Sequence, residues 1–219
     1  MEIEKKTIEE VDNKLIKRYS DRLIQFGVEP RTLGWDNKTN QHVRFSTAYQ
    51  TMDFREKSIL DIGCGFADFY EFLRSNIKIN LPMYTGIDIN PDLINICTAK
   101  YPECTFMKTN ILLEPLIGEQ WDIVTMFGLL NFRFTEFDNI TYAKKMIEKA
   151  FSLCRHALVV DMLSIYSEPS YPKEDFVFYY DPTEMIKFAF ELTPYVTVKH
   201  DYPAIPQREF MLFLRREPC

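Results

Sequence analysis

The residues with the clearest chemical meaning are two glycines that follow a short apolar run. Gly63 and Gly65 are two of only seven glycines in the 219-residue chain, and they come directly after the strand-like run 58–62. Glycine at such a place lets the backbone turn sharply and lets a ligand approach the main chain without a Cβ in the way. Asp61 stands two residues before the first glycine, at the carboxyl end of the predicted strand, where open α/β sheets bind ligands. This loop therefore predicts a ligand site.

A second carboxylate stands at the equivalent position one strand along. The apolar run 83–87 is followed by Asp88, and the carboxyl ends of neighbouring parallel strands meet at one edge of the sheet. A carboxylate there can accept both hydroxyls of a ribose. A lone Gly-x-Gly is common in tight turns, and a loop acid can also be a helix cap. The combination of both strand ends nevertheless favours a ligand that contains a nucleoside.

The position three residues after the second glycine separates two classes of nucleoside cofactor. Nicotinamide enzymes place a third glycine there, beside the pyrophosphate, whereas this chain has Asp68. A carboxylate would repel a pyrophosphate, but S-adenosylmethionine carries no phosphate. The pattern therefore favours S-adenosylmethionine over NAD.

These motifs resemble those of class I S-adenosylmethionine-dependent methyltransferases, of the type found in small bacterial enzymes that act on metabolites. The resemblance covers about residues 57–215 and is most specific in the runs 60–65 and 84–89. It implies that the first loop lines the cofactor, that Asp88 holds the ribose, and that Asn110 stands where the family has an Asp near the adenine amine. Arg44 and Gln41 are hypothesised to bind the cofactor carboxylate. The predicted cofactor residues are Asp61, Gly63, Cys64, Gly65, Asp88, Ile89, Asn110, Ile111, Phe127, Asn131, Trp35, Gln41 and Arg44.

Hydrophobic periodicity predicts the elements that position these residues. Strands are predicted at 58–62, 83–87, 104–108, 122–127, 157–162, 195–199 and 209–214, and helices at 7–26, 40–53, 66–76, 91–100, 140–154 and from the Asp181 cap to about 190. This alternation predicts an α/β fold, a Rossmann-like three-layer sandwich with a seven-stranded, mostly parallel sheet whose last strand is antiparallel, plus N-terminal helices. We predict an N-terminal helical cap or lid over 1–56 and a cofactor-binding domain over 57–219 with an insert at 163–180.

Local signals predict several helix ends. Residues 7–10, Thr-Ile-Glu-Glu, have the pattern of a capping box, and Gly27 is a natural stop. Asn90 and Asp181 are each followed by proline, a typical start for a helix.

The composition bounds the class of protein. Apolar residues make up 46% of the chain and charged residues 26%, which is typical of a folded domain. The net charge of −6 disfavours a nucleic-acid partner. Five cysteines without a Cys-x-x-Cys pair do not suggest a disulfide framework or a metal site. No signal peptide or membrane-spanning run is visible, so we predict a cytoplasmic protein with a small-molecule substrate and no membrane partner.

Residues for the reaction itself are harder to select. The acceptor pocket is predicted to involve helix 7–26, the segment 35–44 and the insert, which has the aromatic residues Tyr166, Tyr171, Phe176, Phe178, Tyr179 and Tyr180. Core packing is the commoner role for most of these rings. The candidates for catalysis are His200 as a base, Asn131, Tyr180 and Tyr202. Capping or packing is an equally good interpretation of His200 and Asn131.

The sequence thus predicts a methyltransferase that uses S-adenosylmethionine and acts on an oxygen or nitrogen of a small molecule. Two alternatives stay open at this point. One is an enzyme that uses the same cofactor without methyl transfer, by intramolecular attack on the aminobutyl chain with release of methylthioadenosine. The other is a cofactor-binding protein without catalytic activity.

Overall fold

The computed structural model describes residues 3–114, 116, 118, 120–166, 168, 173–202 and 208–218. The elements in chain order are α1 (Lys5–Phe26), a 3₁₀ helix (Pro30–Leu33), α2 (Lys38–Thr51), β1 (Ser58–Ile62), α3 (Asp68–Asn76), β2 (Met83–Asp88), α4 (Pro91–Lys100), β3 (Thr105–Lys108), β4 (Trp121–Met126), α5 (Asn139–Ser152), β5 (Cys154–Leu163), α6 (Pro182–Leu192), β6 (Val196–Lys199) and β7 (Glu209–Arg215). Among the described residues, no helix is both long and apolar enough to cross a bilayer.

The strands form one seven-stranded sheet in the order β3-β2-β1-β4-β5-β7-β6. The pairs from β3 to β5 are parallel. The last strand is antiparallel to both of its neighbours. This arrangement confirms the predicted fold, including the antiparallel pair at the end of the chain. The order reverses between β1 and β4, and such a switch point opens a crevice at the carboxyl ends of the strands.

Two hydrophobic clusters cover the two faces of the sheet. In β1, Leu60 belongs to the cluster that contains α5 and α6, whereas Ile59 belongs to the cluster that contains α3. The alternation follows from the two-residue period of a strand. The N-terminal helices contribute to both clusters, because Val11 of α1 lies in the first and Phe45 of α2 in the second. The helices of residues 1–56 therefore pack on the sheet, and the boundary at residue 57 stays a prediction.

The helix ends follow the local signals with one exception. The Asn90 side chain accepts from Asp92 N at 2.8 Å, and the Asp181 side chain accepts from Thr183 N at 2.8 Å, so both predicted caps are confirmed. Gly27 ends α1 with a φ of 69°. The predicted capping box at residues 7–10 is wrong, because α1 begins at Lys5 after a residue that makes no side-chain cap.

Several boundaries differ from the pattern by a few residues, and hydrogen bonds explain two of these differences. The second helix begins at Lys38, two residues early, because Asn37 caps it by accepting from Asn40 N at 2.9 Å. Helix α5 ends at Ser152 and β5 begins at Cys154, because the chain there already pairs with Trp121 of β4. Hydrogen bonding to a distant strand fixes that junction.

Candidate functional site

A cavity of about 260 Å³ lies at the carboxyl ends of β1, β2 and β4. The loops after these strands form its base, and α1, the 3₁₀ helix and the start of α2 line it as well. Every residue predicted to bind the cofactor lines this cavity. The fold therefore brings those residues together, and their contacts with a cofactor stay a prediction.

The glycine loop has the conformation and the crowding that require glycine. Gly63 and Gly65 have φ values of 74° and 55°, in the left-handed region. A Cβ on Gly63 would lie 2.7 Å from Leu129 Cδ1, and one on Gly65 would lie 2.7 Å from Leu33 Cδ1. The loop is held by N–H groups of Gly63 and Cys64, which donate to Ile87 O at 2.8 and 3.0 Å. The leucine side chains therefore occupy the space that a Cβ would need at these two positions.

The Asp88 carboxylate is fixed by the backbone of two loops. Its Oδ2 accepts from Gly65 N at 3.1 Å, and its Oδ1 accepts from Asn90 N at 2.9 Å. Each oxygen can accept a further hydrogen bond. Burial raises the pKa of Asp88 to about 6, although the backbone donors lower it. Two fixed acceptors side by side fit the two hydroxyls of a ribose.

Asp61 places a second carboxylate beneath the same loop. It is buried, and it accepts from the Thr125 hydroxyl at 2.7 Å and from the Tyr84 hydroxyl. Burial raises the pKa of Asp61 to about 6, against the effect of these donors. When ionised, Asp61 and Asp88 make the cavity favourable for a cation such as a sulfonium.

The side-chain amide of Asn110 has two partners within the protein. Its Oδ1 accepts from Leu112 N at 2.9 Å and can accept a further hydrogen bond, so its predicted place near the adenine amine stays a prediction. Its Nδ2 donates to Asp12 Oδ2 at 2.8 Å. Asp12 lines the cavity, and burial raises its pKa. The carboxylate beside Asn110 therefore comes from α1.

Sequence reasoning missed Asp12 because it lies 98 residues from Asn110. The available signal was its place on the helix. Asp12 is four residues from Ile8 and three from Leu15, so it interrupts the apolar stripe of α1. An acid on the core-facing side of a helix needs a partner or a ligand.

Arg44 forms ion pairs with two carboxylates of the protein. It is 3% exposed, its Nε donates to Asp161 Oδ2 at 3.2 Å, and its second terminal nitrogen pairs with Glu209. Its guanidinium carbon lies 4.0 Å from the centroid of the Trp35 ring. Since two carboxylates face this one cation, we do not retain the predicted role of Arg44 in binding the cofactor carboxylate. Gln41 likewise donates to Asp68 Oδ2 at 2.8 Å.

The same buried group shapes the loop after β4. Asp161 Oδ1 accepts from Gly128 N at 2.7 Å, and burial raises the pKa of Asp161. Gly128 has a φ of 68°, and a Cβ there would lie 2.5 Å from the Trp35 ring. Asp161 is a further residue that the sequence did not single out, because it lies within an otherwise apolar strand.

Only one of the four catalytic candidates lines the cavity. Asn131 does so, although its Oδ1 accepts from Leu163 N at 3.1 Å. Tyr180 is buried and donates to Leu130 O at 2.8 Å, which is a packing role. His200 and Tyr202 do not line the cavity. They follow β6, on the far side of β7 from the switch point, and His200 lies against the Tyr166 and Phe210 rings. The expectation that His200 reaches the substrate side is therefore wrong.

The insert forms a second wall of the cavity. Asn131, Phe132 and Phe134 of the segment 131–134 line it, and so do Glu174, Phe176 and Val177 of the segment 174–177. The two segments are joined by a Phe132–Val177 bridge and by a hydrogen bond from Arg133 N to Phe176 O at 2.9 Å. Phe176 lines the cavity, whereas Tyr179 and Tyr180 are buried. Tyr171 and the prolines at 203 and 206 lie outside the described residues. The aromatic residues of the insert thus divide between core and cavity.

Comparisons with known proteins agree with this geometry. Residues 59–157 match the family described as a methyltransferase domain. The ubiquinone/menaquinone biosynthesis C-methyltransferase UbiE of Campylobacter jejuni is 27% identical over 128 residues, which cover 56% of this chain and 51% of that protein. The chain thus spans about half the length of the curated relatives that it matches.

Solved structures show the same fold at low sequence identity. The magnesium protoporphyrin IX methyltransferase of Synechocystis with bound S-adenosylhomocysteine has a TM-score of 0.59 and 14% identity, covering 82% of this chain and 83% of that one. An S-adenosylmethionine-dependent methyltransferase of Mesorhizobium loti has a TM-score of 0.61 and 12% identity, covering 80% and 98%.

The sheet order and the glycine loop define the class I, S-adenosylmethionine-dependent methyltransferase fold. The match of residues 59–157 to the family described as a methyltransferase domain agrees with this fold. The predicted resemblance and fold are confirmed, and S-adenosylmethionine stays the proposed cofactor.

Proposed function

We propose that this protein transfers a methyl group from S-adenosylmethionine to an oxygen or nitrogen of a small molecule. One observation carries the proposal: a single cavity joins the glycine loop and Asp88 to the wall formed by residues 131–134 and 174–177. A cofactor bound at the glycine loop and an acceptor bound against this wall would share one cavity. We retain the cytoplasm as the predicted compartment and residues 1–56 as the cap over this cavity.

The chemistry asks little of the protein beyond placement. Bound S-adenosylmethionine supplies a methyl group on a sulfonium; the acceptor's lone pair forms the new bond to carbon, and the electron pair of the broken carbon–sulfur bond stays on sulfur. The protein must hold the acceptor in line and exclude water, and we assign these roles to α1 and the insert wall, which line the cavity. The ionised carboxylates of Asp61 and Asp88 favour the cation.

An oxygen or nitrogen acceptor also releases a proton. Most of the lining carboxylates accept hydrogen bonds from the protein, as Asp12, Asp61, Asp68 and Asp88 do. Asp36 and Glu174 also line the cavity, and their carboxylates accept no hydrogen bond from another described residue. Glu174 belongs to the insert wall, so we assign it, rather than His200, as the group that receives the proton.

Carbon methylation is the second candidate, because the curated relatives are named as C-methyltransferases. The cavity suits an aromatic carbon nucleophile as well, since Phe132, Phe134 and Phe176 line it. Acceptors of all three types, hydroxyl, amine and electron-rich ring carbon, therefore belong in the same assay. Mass spectrometry of the methylated product identifies the atom. Accumulation of S-adenosylhomocysteine supports methyl transfer, whereas methylthioadenosine would indicate the intramolecular alternative.

The cofactor site is tested by titration calorimetry with S-adenosylmethionine on Asp88→Asn. We expect affinity to fall at least about tenfold, because one of two acceptors for the ribose hydroxyls is lost. Asp122→Asn is the matched control. Asp122 also accepts a hydrogen bond from a backbone N–H, that of Ser58 at 2.8 Å, but it lies at the amino end of β4, away from the cavity at the carboxyl ends of the strands. Undiminished binding by Asp88→Asn would remove the ribose assignment.

A further inference from the structure

A positively charged side chain of α1 lies beside two aromatic rings of the cavity wall. The guanidinium carbon of Arg18, on α1, lies 5.6 Å from the centroid of the Phe132 ring and 5.6 Å from that of the Phe176 ring. All three residues line the cavity. Both distances are within the range of a cation–π contact, which holds a guanidinium in place and leaves its N–H donors without an acceptor.

Among the described residues, Arg18 has no carboxylate within 4.0 Å and no side-chain hydrogen bond. Arg22, one turn further along the same face of α1, also lines the cavity, and it donates only to main-chain carbonyls, among them Thr32 O at 2.9 Å. Two like charges spaced by four residues destabilise a helix. Burial and the charge of Arg18 lower the pKa of Arg22. This part of the cavity therefore favours an anion.

Apolar side chains line the cavity along with Arg18. Leu15, Phe134, Leu163 and Val177 line the cavity together with its two aromatic partners. A ligand that suits this wall has a flat or apolar body and one negative group. A carboxylate matches the guanidinium best, because two parallel N–H donors can meet its two oxygens.

We propose that Arg18 binds the carboxylate of the acceptor, and that the acceptor is an aromatic acid whose ring lies against the wall of Phe132 and Phe176. The inference rests on the proposed function. Phe176, one of the two aromatic partners of Arg18, belongs to the insert, which contains none of the predicted cofactor residues, whereas the other partner, Phe132, directly follows the predicted cofactor residue Asn131. For this reason we assign the anion to the acceptor and not to the amino-acid part of the cofactor.

The test measures binding to the intact protein saturated with S-adenosylhomocysteine. The probes are benzoate, phenylacetate and 3-phenylpropionate, each paired with its neutral amide, followed by calorimetry or ligand-observed NMR. We expect at least one acid to bind about tenfold or more tightly than its amide, since a charge-assisted bidentate contact is lost in the amide. Arg18→Gln is expected to abolish this preference and to leave the affinity for S-adenosylmethionine within about twofold.

Lys17→Gln is the matched control. It removes one positive charge from the neighbouring position of α1, where Lys17 is exposed and pairs with Asp21. It should keep the preference for the acid. The inference is wrong if acids and amides bind equally, if neither binds at 10-fold molar excess over a millimolar protein sample (about 10 mM), or if Arg18→Gln keeps the preference. A fall in S-adenosylmethionine affinity in Arg18→Gln would assign the arginine to the cofactor instead. Failure of the proposed function itself would appear separately, as absent S-adenosylmethionine binding by the unmodified protein.

Discussion

Two arginines of the N-terminal helices line the same cavity in opposite electrostatic settings. Arg44 of α2 is buried against Asp161 and Glu209. Arg18 of α1 lies by the faces of the Phe132 and Phe176 rings and, among the described residues, forms no ion pair. The residue type is the same, so the supply of carboxylates from other elements decides which arginine is structural and which is available to a ligand.

The carboxylates near the cavity also differ in how many of their hydrogen-bond positions the protein itself uses. Asp161 uses its oxygens for Arg44 and Gly128 N. Asp88 accepts two backbone hydrogen bonds and Asp12 accepts from Asn110, and both remain on the cavity surface with capacity for further donors. Removing a group that the protein has paired should therefore lower stability, whereas removing an available one should lower ligand binding.

The largest effect is expected for Arg44→Met, which removes the cation and keeps most of the side-chain volume. It leaves Asp161 and Glu209 buried without their partner, which typically costs about 3–5 kcal/mol of unfolding free energy. Arg18→Met is the matched substitution and should cost only about 1 kcal/mol, since Arg18 loses its contacts with the Phe132 and Phe176 rings but, among the described residues, no ion pair. Chemical denaturation measures both.

A triple variant sharpens this result. Adding Asp161→Asn and Glu209→Gln to Arg44→Met removes the uncompensated charges, so part of the lost stability should return. If Arg44→Met and Arg18→Met destabilise the protein equally, the distinction between the two arginines does not hold.

The two arginines also show which features of the site could not be predicted from the sequence. The cofactor loop was predictable because Asp61, Gly63, Gly65 and Asp88 lie at strand ends, and their meaning depends on local spacing and on the parallel order of strands. The pairing of Arg44 was not predictable, because its partner Asp161 is 117 residues away. Arg18 looked like an ordinary charge on an amphipathic helix until Phe132 and Phe176 were placed on either side of it.

An intermediate effect is expected from pH on S-adenosylmethionine binding. Burial raises the pKa of Asp88 to about 6, and ribose hydroxyls donate to the ionised form. Lowering the pH from 7 to 5 should therefore weaken binding roughly tenfold for this one group. Calorimetry at several pH values measures the change, and Asp88→Asn should show a flatter profile.

The contribution of the same carboxylates to folding has the opposite sign. Asp61 and Asp88 both have a pKa raised to about 6, so between pH 4 and 6 the folded protein binds more protons at these sites than the unfolded chain. Their contribution to the unfolding free energy therefore rises as the pH falls through this window.

Ligand affinity that stayed constant from pH 7 to 5 would contradict the assignment of an ionised Asp88 to the ribose.

The smallest effect on ligand affinity is expected for Asp12→Ala, because the Asp12 carboxylate already accepts from Asn110. If Asp12 accepts from the exocyclic amine of adenine, Asp12→Ala should weaken S-adenosylhomocysteine binding by about 1 kcal/mol, or roughly fivefold. S-inosylhomocysteine, which has a carbonyl in place of that amine, provides the sharper measurement. Wild type should prefer the adenine ligand, and Asp12→Ala should lose the preference. Asp21→Ala, an exposed acid of the same helix that pairs with Lys17, should keep it. An unchanged preference in Asp12→Ala would show that Asp12 is fully used by Asn110 and belongs with Asp161 among the carboxylates paired within the protein.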